Sequence, residues 1–159
     1  MALTIWCHTT PSTGVDGLNE LVRQFLGQLD RQGLIIDERW NSGGMIPDRF
    51  VELLHRRPLN FWARREFEPW QTPGVVNDGP KVMLINEFAG SGGDAMPWYF
   101  QRAKVGPLVG KRTWGGLVGR AGAPRLMDGG FVTAPSSGVW SPDGHWIAEN
   151  VGVSPDIEV

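Results

Sequence analysis

Residues 82–97 constrain the fold of this chain more than any other stretch. The apolar run 82–85 suits a buried strand or the core of a helix, and the glycines that follow it favour the strand. A glycine-flanked Ser91 comes next, and then a segment with apolar residues at helical spacing. This pattern suits a nucleophilic serine, because a helix start offers unpaired N–H groups to a developing oxyanion. A β-α turn in which Ser91 only caps the helix is the alternative.

The composition indicates a folded domain without a nucleic-acid or membrane partner. The chain has 159 residues, 41% hydrophobic residues and a formal net charge of -2. This length is sufficient for one domain with a buried core, and the charge gives no sign of a polyanionic partner. We find no apolar run that could span a bilayer and no signal peptide. The single Cys7 excludes an internal disulfide, so we expect a cytoplasmic protein, and we expect neither a metal nor a cofactor.

Hydrophobic periodicity predicts an alternation of strands and helices. A strand is possible within residues 1–12, and prolines and mixed charge predict a long irregular loop over 57–80. Gly33 should cap the C-terminus of the first helix, and Asp143-Gly144 should form a hairpin turn. The predicted helices span 16–31, 47–55 and 95–104, and the predicted strands span 34–37, 82–85, 108–110, 125–127, 131–134 and 139–141.

Two strand-to-helix crossovers predict one α/β domain built on parallel strands. Strand 34–37 leads to helix 47–55, and strand 82–85 leads to helix 95–104. Ligand sites in such sheets lie in the loops beyond the carboxyl ends of the strands. Gly43-Gly44 and Gly90-Ser91-Gly92 occupy those loops, so we expect them to face one another across a single cleft.

Five motifs in series resemble the tricorn branch of the tail-specific (carboxyl-terminal processing) serine peptidase family. The resemblance covers residues 14–159 and leaves 1–13 as a poorly matching N-terminal segment. No single motif is decisive, but five in the right order and with compatible spacing are quite specific. They are 17–20 (GLNE), 33–44 (GLIIDERWNSGG), 86–94 (NEFAGSGGD), 110–116 (GKRTWGG) and 149–156 (ENVGVSPD).

The resemblance implies a fold and a set of site residues. The fold would be a single crotonase/Clp-protease-like domain with a mainly parallel sheet, flanking helices and short C-terminal strands. Ser91 falls on the family's nucleophile, and the backbone N–H groups of Gly44 and Gly92 fall on its oxyanion hole. Glu149 falls on the acid that orients a second serine, which in turn contacts the base histidine. Peptides or proteins would be the substrates, and the full-length family members form homo-oligomers.

The general base is where this sequence departs from the family. The family's histidine and its partner serine lie upstream of the first matching motif, in a region that has no counterpart here. A serine hydroxyl is barely nucleophilic without a base, so the gap is serious. His145, four residues before Glu149, is a possible base, but exposed turn histidines are commoner than catalytic ones. The serine–lysine branch gives no alternative, because its lysine position is Gly116.

The other two histidines have ordinary interpretations. His8 lies near the start, before the matching region, and packs or faces solvent. His55 ends a predicted helix, where a cation complements the helix dipole. We therefore interpret the chain as the nucleophile-bearing part of a tricorn-type peptidase whose base is absent or supplied by another chain.

Specificity and activity remain open from the sequence. The family's acidic residue for basic side chains falls at Trp62, and an aromatic residue there predicts apolar or unselective cleavage. An inactive remnant that binds peptides or serves assembly is the alternative to an active peptidase. A crotonase-like acyl-CoA enzyme shares the fold, but it would need neither Ser91 nor Glu149.

Overall fold

A computed structural model of the chain describes residues 5–122 and 124–159, with β1 described by its backbone alone. Seven strands and three helices alternate along the described chain in the manner of an α/β protein. In order they are β1 (Ile5–Thr9), α1 (Val15–Leu26), β2 (Gly33–Asp37), α2 (Pro47–Leu54), β3 (Asn60–Trp62), β4 (Trp70–Thr72), β5 (Lys81–Ile85), α3 (Gly92–Arg102), β6 (Leu108–Gly110) and β7 (Ile157–Glu158).

Five of the strands form one parallel sheet, as the two crossovers predicted. Its order is β1-β2-β5-β6-β7, and every neighbouring pair runs parallel. Asp37, the last residue of β2, pairs with Thr9 on one side and Leu84 on the other. The carboxyl ends of β2 and β5 therefore meet at one edge, and the loops that follow them are neighbours.

The core lies between this sheet and the helices. Phe25 of α1, Phe50 of α2 and Phe100 of α3 are fully buried and belong to the same apolar cluster as Ile36 and Met83 of the sheet. The helices carry apolar residues at three- and four-residue spacing, so one face of each packs inward. α2 packs on α3, and this contact fixes the start of α3 relative to the sheet.

The end of the first helix differs from the prediction. α1 ends at Leu26 rather than Arg31, because the chain turns at Gly27 and residues 27–30 form turns. The segment is held in place by Asn77, whose Nδ2 donates a hydrogen bond to Arg31 O at 2.6 Å. Gly33 is accordingly the first residue of β2 and not a helix cap.

The segment 57–80 is not the predicted irregular loop, because β3 and β4 form an antiparallel hairpin within it. Trp62 and Trp70 are directly opposite and stack with 6.2 Å between ring centroids. Trp62 Nε1 also donates a hydrogen bond to Thr72 Oγ1 at 2.8 Å. This hairpin is stabilised by cross-strand side-chain pairs that no local pattern reveals.

The predicted strands at 125–127, 131–134 and 139–141 are reduced to isolated bridges. Gly119 pairs with Ser137, Arg125 with Phe131, and Trp140 with Trp146 across the turn at Asp143-Gly144. Most of these residues are exposed, so little burial is available to extend the ladders. The short C-terminal strand that does join the sheet is β7. Among the described helices, none has the length and apolarity needed to cross a membrane.

Candidate active site

The loops after β2 and β5 meet as predicted and form the walls of one cleft. Gly90 N–H, in the loop after β5, donates a hydrogen bond to Asn41 O, in the loop after β2, at 3.0 Å. A Cβ on Gly43 would lie 2.9 Å from Ser91 Cβ. The two glycine-containing loops are thus in direct contact, and Ser91 lies where they touch.

Ser91 occupies a sharp turn between β5 and α3. Its backbone has φ 58° and ψ -115°, a conformation that non-glycine residues rarely adopt. The turn makes Ser91 the N-cap of α3 and leaves its side chain exposed at the mouth of the cleft. Strained strand-to-helix turns of this kind present nucleophiles in other hydrolases. α3 accordingly begins at Gly92, three residues before its predicted start.

Asp94, in the first turn of α3, holds the Ser91 turn in place through hydrogen bonds. Its fully buried carboxylate accepts a hydrogen bond from Ser91 N–H at 2.8 Å through Oδ2, which also accepts one from Gly116 N–H at 3.0 Å. Oδ1 accepts from Thr113 Oγ1 at 2.6 Å and from Gly115 N–H at 2.8 Å. One carboxylate therefore joins the serine turn to the glycine-rich segment 113–116.

Gly44 and Gly92 lie against each other beside Ser91. A Cβ on Gly92 would lie 2.7 Å from Gly44 N and 2.5 Å from Gly44 O. Gly44 has φ 149°, and a Cβ there would meet Thr13 C at 2.2 Å, so both positions require glycine. Within the described part of the chain, neither backbone N–H donates a hydrogen bond.

Thr13 packs against both Gly44 and Gly92. Its N–H donates to Gly43 O at 2.9 Å, and its carbonyl accepts from Ile46 N–H at 3.1 Å. A Cβ on Gly92 would lie 2.1 Å from Thr13 Oγ1, so Thr13 packs directly against the two glycines. Thr13 was not selected from the sequence, because its contacts with the two glycines form only when the chain has folded.

Glu149 lies in the same cavity as Ser91. Its Oε2 accepts hydrogen bonds from Leu117 N–H and Val118 N–H, both at 2.7 Å. Two backbone donors therefore fix the half-buried carboxylate, and its other oxygen accepts no hydrogen bond within the described chain. This geometry suits a group that orients a further polar side chain.

The cavity over Ser91 has a volume of about 630 Å³. Its walls are mainly apolar, with Arg120 and Glu149 as the charged residues among the described ones, and no described histidine lines it. Apolar walls around a few oriented polar groups are typical of a binding site for a small ligand or peptide segment. The apolar wall residues are Met45, Phe88, Trp114, Val118, Ala134 and Pro135.

Three sequence-selected side chains lie outside this cavity. His145 is exposed in the hairpin and lines a different cavity with Trp98 and Arg102. Trp62 is on the β3–β4 hairpin. His55 is the C-cap of α2, at the helix end where a cation was expected. The side chain of His8, on β1, lies outside the described part of the structure.

Two carboxylates next to the β2 loop have opposite electrostatic environments. The Arg39 guanidinium hydrogen-bonds to Asp37 at 2.8 and 2.7 Å and lowers the pKa of that carboxyl. Glu38 is completely buried, and burial raises its pKa well above the usual value. Neither residue stood out in the sequence, because a Glu in the charged stretch Asp37-Glu38-Arg39 gives no local sign of burial.

The fold and the serine turn define a serine-peptidase class of α/β protein, and comparison with known proteins gives the family. The sequence profile of Peptidase family S41 matches residues 10–159, and the chain belongs to that family. It is 38% identical over 151 residues to the tricorn protease of Thermoplasma acidophilum and 36% identical over 151 residues to that of Thermoplasma volcanium. These matches cover 94% of this chain and 14% of each relative, so the chain spans about one seventh of their length.

Solved structures support the same fold. The crystal structure of the tricorn protease superposes with a TM-score of 0.86 at 36% identity, covering 98% of this chain and 15% of that one. The photosystem II D1 C-terminal processing protease has a TM-score of 0.66 at 21% identity, covering 96% of this chain and 42% of that one. At that lower identity the likeness concerns the fold alone.

Proposed function

We propose that this chain is the nucleophile-bearing core of a serine peptidase, in which Ser91 attacks the scissile carbonyl. The observation that carries the proposal is the strained Ser91 turn beside the free N–H groups of Gly44 and Gly92. Membership of Peptidase family S41 supports the same reaction class. The strain is consistent with function, because backbone strain tends to persist where the surroundings require it.

In the proposed reaction, Ser91 Oγ bonds to the carbonyl carbon and its proton passes to a base. The carbonyl oxygen becomes an oxyanion that accepts hydrogen bonds from Gly44 N–H and Gly92 N–H. The base then protonates the leaving amine, and water releases the acyl group from Ser91. In other serine proteases, loss of one oxyanion-hole donor lowers the rate by roughly 10²–10³, so each donor would contribute several kcal/mol to lowering the barrier.

We propose that Glu149 supports a base that the described residues do not place in the cavity. Its carboxylate already faces the cavity and is fixed by two backbone donors. A histidine with its partner serine, from another segment or another chain, would complete the relay. His145 is the base candidate within this sequence, and it would need to leave its hairpin position to reach Ser91.

The walls of the cavity suggest the class of substrate. The cavity is lined by Met45, Phe88 and Trp114, which are all more than half exposed. A bound substrate would bury their apolar surface. We infer that a peptide with an apolar side chain beside the scissile bond is the preferred substrate. This is the preference that the sequence suggested through Trp62, now assigned to residues that lie near Ser91. Cleavage mainly after Arg or Lys would contradict it.

We further propose that residues 14–159 form the peptidase core and 1–13 a leading segment. The complete protein acts in the cytoplasm on peptides, as a homo-oligomer without nucleic acid or membrane partners. Gel filtration of the complete protein tests the oligomer.

The test is hydrolysis of a fluorogenic peptide library by the complete protein, with Ser91→Ala as the variant and Ser154→Ala as its matched control. Ser154 is exposed and lies outside the Ser91 cavity. We expect hydrolysis to disappear in S91A and to persist in S154A. If the folded complete protein binds peptides without cleaving them, the alternative of a peptide-binding remnant is correct. The lack of a described histidine in the cavity favours that alternative.

A further inference from the structure

The loop after β2 begins with a buried carboxyl group that the proposed reaction does not use. Glu38 directly follows β2 and is fully buried, and its N–H donates to Leu84 O at 2.9 Å. Its Oε1 accepts a hydrogen bond from Asn41 Nδ2 at 2.8 Å. Its Oε2 is buried and has no hydrogen-bond partner among the described residues. Burying a carboxyl with one unsatisfied oxygen costs folding free energy, so the burial of Glu38 calls for an explanation.

Asn41 transmits the position of Glu38 to the cleft. It is also fully buried, and its Oδ1 accepts a hydrogen bond from Gly43 N–H at 2.7 Å. Its backbone oxygen accepts from Gly90 N–H at 3.0 Å. Asn41 therefore contacts both loops of the cleft. Its partners, Gly43 and Gly90, directly precede Gly44 and Ser91. Its amide orientation depends on Glu38, because an amide whose nitrogen donates to Glu38 must present its oxygen to Gly43.

We propose that Glu38 is a positioning residue that acts through Asn41 to hold Gly43 and Gly44 in the geometry of an oxyanion hole. With Gly43 N–H bound to Asn41, the next N–H along the chain, that of Gly44, stays free beside Ser91. The inference rests on the proposed function for the role of Gly44. The hydrogen-bonded arrangement itself is independent of that role.

The surroundings of Glu38 favour a neutral acid. Asp37 and Asp94 are its acidic neighbours, and Arg39, the nearby cation, is bound to Asp37. Two acidic neighbours and complete burial both disfavour a further negative charge here. The neutral acid still offers its carbonyl oxygen to Asn41, and a glutamine side chain can do the same. A leucine of similar size cannot.

Amide hydrogen exchange followed by NMR tests the arrangement in the full chain. In Glu38→Leu, we expect Gly43 N–H to exchange at least tenfold faster while amides in α1 and α2 keep their rates. In Glu38→Gln, Gly43 should exchange within threefold of wild type. Glu87→Leu, an exposed acid in the neighbouring loop, is the control and should leave Gly43 unchanged. Unchanged exchange in E38L, equal acceleration of all amides, or identical behaviour of E38Q and E38L would each overturn the proposal.

A measurement on the wild-type chain keeps the test decisive if E38L does not fold. The carboxyl carbon of Glu38 should still show the chemical shift of a neutral acid at pH values where the exposed glutamates of the chain are already ionised. Titration of Glu38 with an ordinary pKa, without any response of the Gly43 amide, would overturn the arrangement.

Labelling by a fluorophosphonate probe separates this inference from the proposed function. If Ser91 reacts in the wild type, we expect labelling at least tenfold slower in E38L and within threefold in E38Q. Equal labelling rates in all three proteins would overturn the positioning role. If Ser91 of the folded complete protein does not react at all, the proposed function fails, and the exchange rate of Gly43 still decides the role of Glu38.

Discussion

Asp94 shows how strongly the serine turn depends on a single buried side chain. Four donors from two parts of the chain converge on its carboxylate, and two of them, Ser91 N–H and Gly116 N–H, share one oxygen. An ionised carboxylate can accept all four hydrogen bonds, whereas an amide replaces one acceptor by a donor. Hydrogen bonds to charged groups are also stronger than neutral ones.

Asp94→Asn should therefore destabilise the fold and the serine turn together. We expect a loss of about 3 kcal/mol in the free energy of unfolding, because at least one buried donor faces an NH₂ group. Urea unfolding measures this loss. Asp143→Asn, at an exposed ion pair with Arg102, is the control and should change stability little. Equal unfolding midpoints for both variants would show that Asp94 does not organise the turn.

Gly92→Ala tests the close approach of Gly92 to Gly44. The added Cβ would lie 2.1 Å from Thr13 Oγ1 and 2.5 Å from Gly44 O, so the two loops must move apart. We expect labelling of Ser91 by a fluorophosphonate to slow by roughly 10²-fold, the effect of losing one oxyanion donor. Gly74→Ala is the control, because its Cβ would have no neighbour within 4 Å. A labelling rate equal to that of G74A would contradict the assigned oxyanion hole.

Some site residues were predictable from the sequence and others were not. Ser91 and Gly44 follow recognisable strands, and their glycine neighbours mark the turns. Asp94 and Glu38 depend on partners that are remote in sequence or on burial, which a local pattern does not report. The same limit applies to Thr13, whose contacts with Gly92 arise only after the sheet has formed.

At the scale of elements, α3 carries the serine turn and is held by its contacts with α2. Phe100 on α3 is fully buried in the main cluster, so it fixes the helix against the sheet. Phe100→Ala should cost about 3–5 kcal/mol, the usual range for a buried phenylalanine. Thermal or urea unfolding measures the cost, and Phe61→Ala, at an exposed position in the hairpin, should cost much less. Similar costs for the two would mean that α3 is not anchored by this contact.

The elements with clear periodicity were predictable, and the short ones were not. The strands 34–37 and 82–85 and the helix 47–55 match β2, β5 and α2 to within a residue. The hairpin β3–β4 has only three residues in each strand, too few for a period, and the pair Trp62–Trp70 forms only once the strands are in register.

At the scale of the whole molecule, stability should vary with pH through Glu38 and Asp37 in opposite directions. The pKa of folded Glu38 is above its unfolded value, so the folded state binds more protons and stability falls as pH rises above about 4.5. The pKa of folded Asp37 is below its unfolded value, so its contribution is lost as pH falls below about 4.

Glu38→Gln removes the first of these two dependences. We expect E38Q to become more stable relative to wild type as pH rises from 5 to 8, measured by urea unfolding at several pH values. The sign follows because the amide cannot ionise in either the folded or the unfolded state. A constant difference between the two proteins over this range would contradict the raised pKa of Glu38.

Covalent labelling tests most sharply whether Ser91 is a nucleophile held ready beside an oxyanion hole. The folded complete protein is incubated with a fluorophosphonate probe, and the adduct is located by mass spectrometry. We expect one adduct, on Ser91, that is absent in Ser91→Ala. Labelling on another residue, or none on Ser91 even when the complete protein supplies a base, would contradict it.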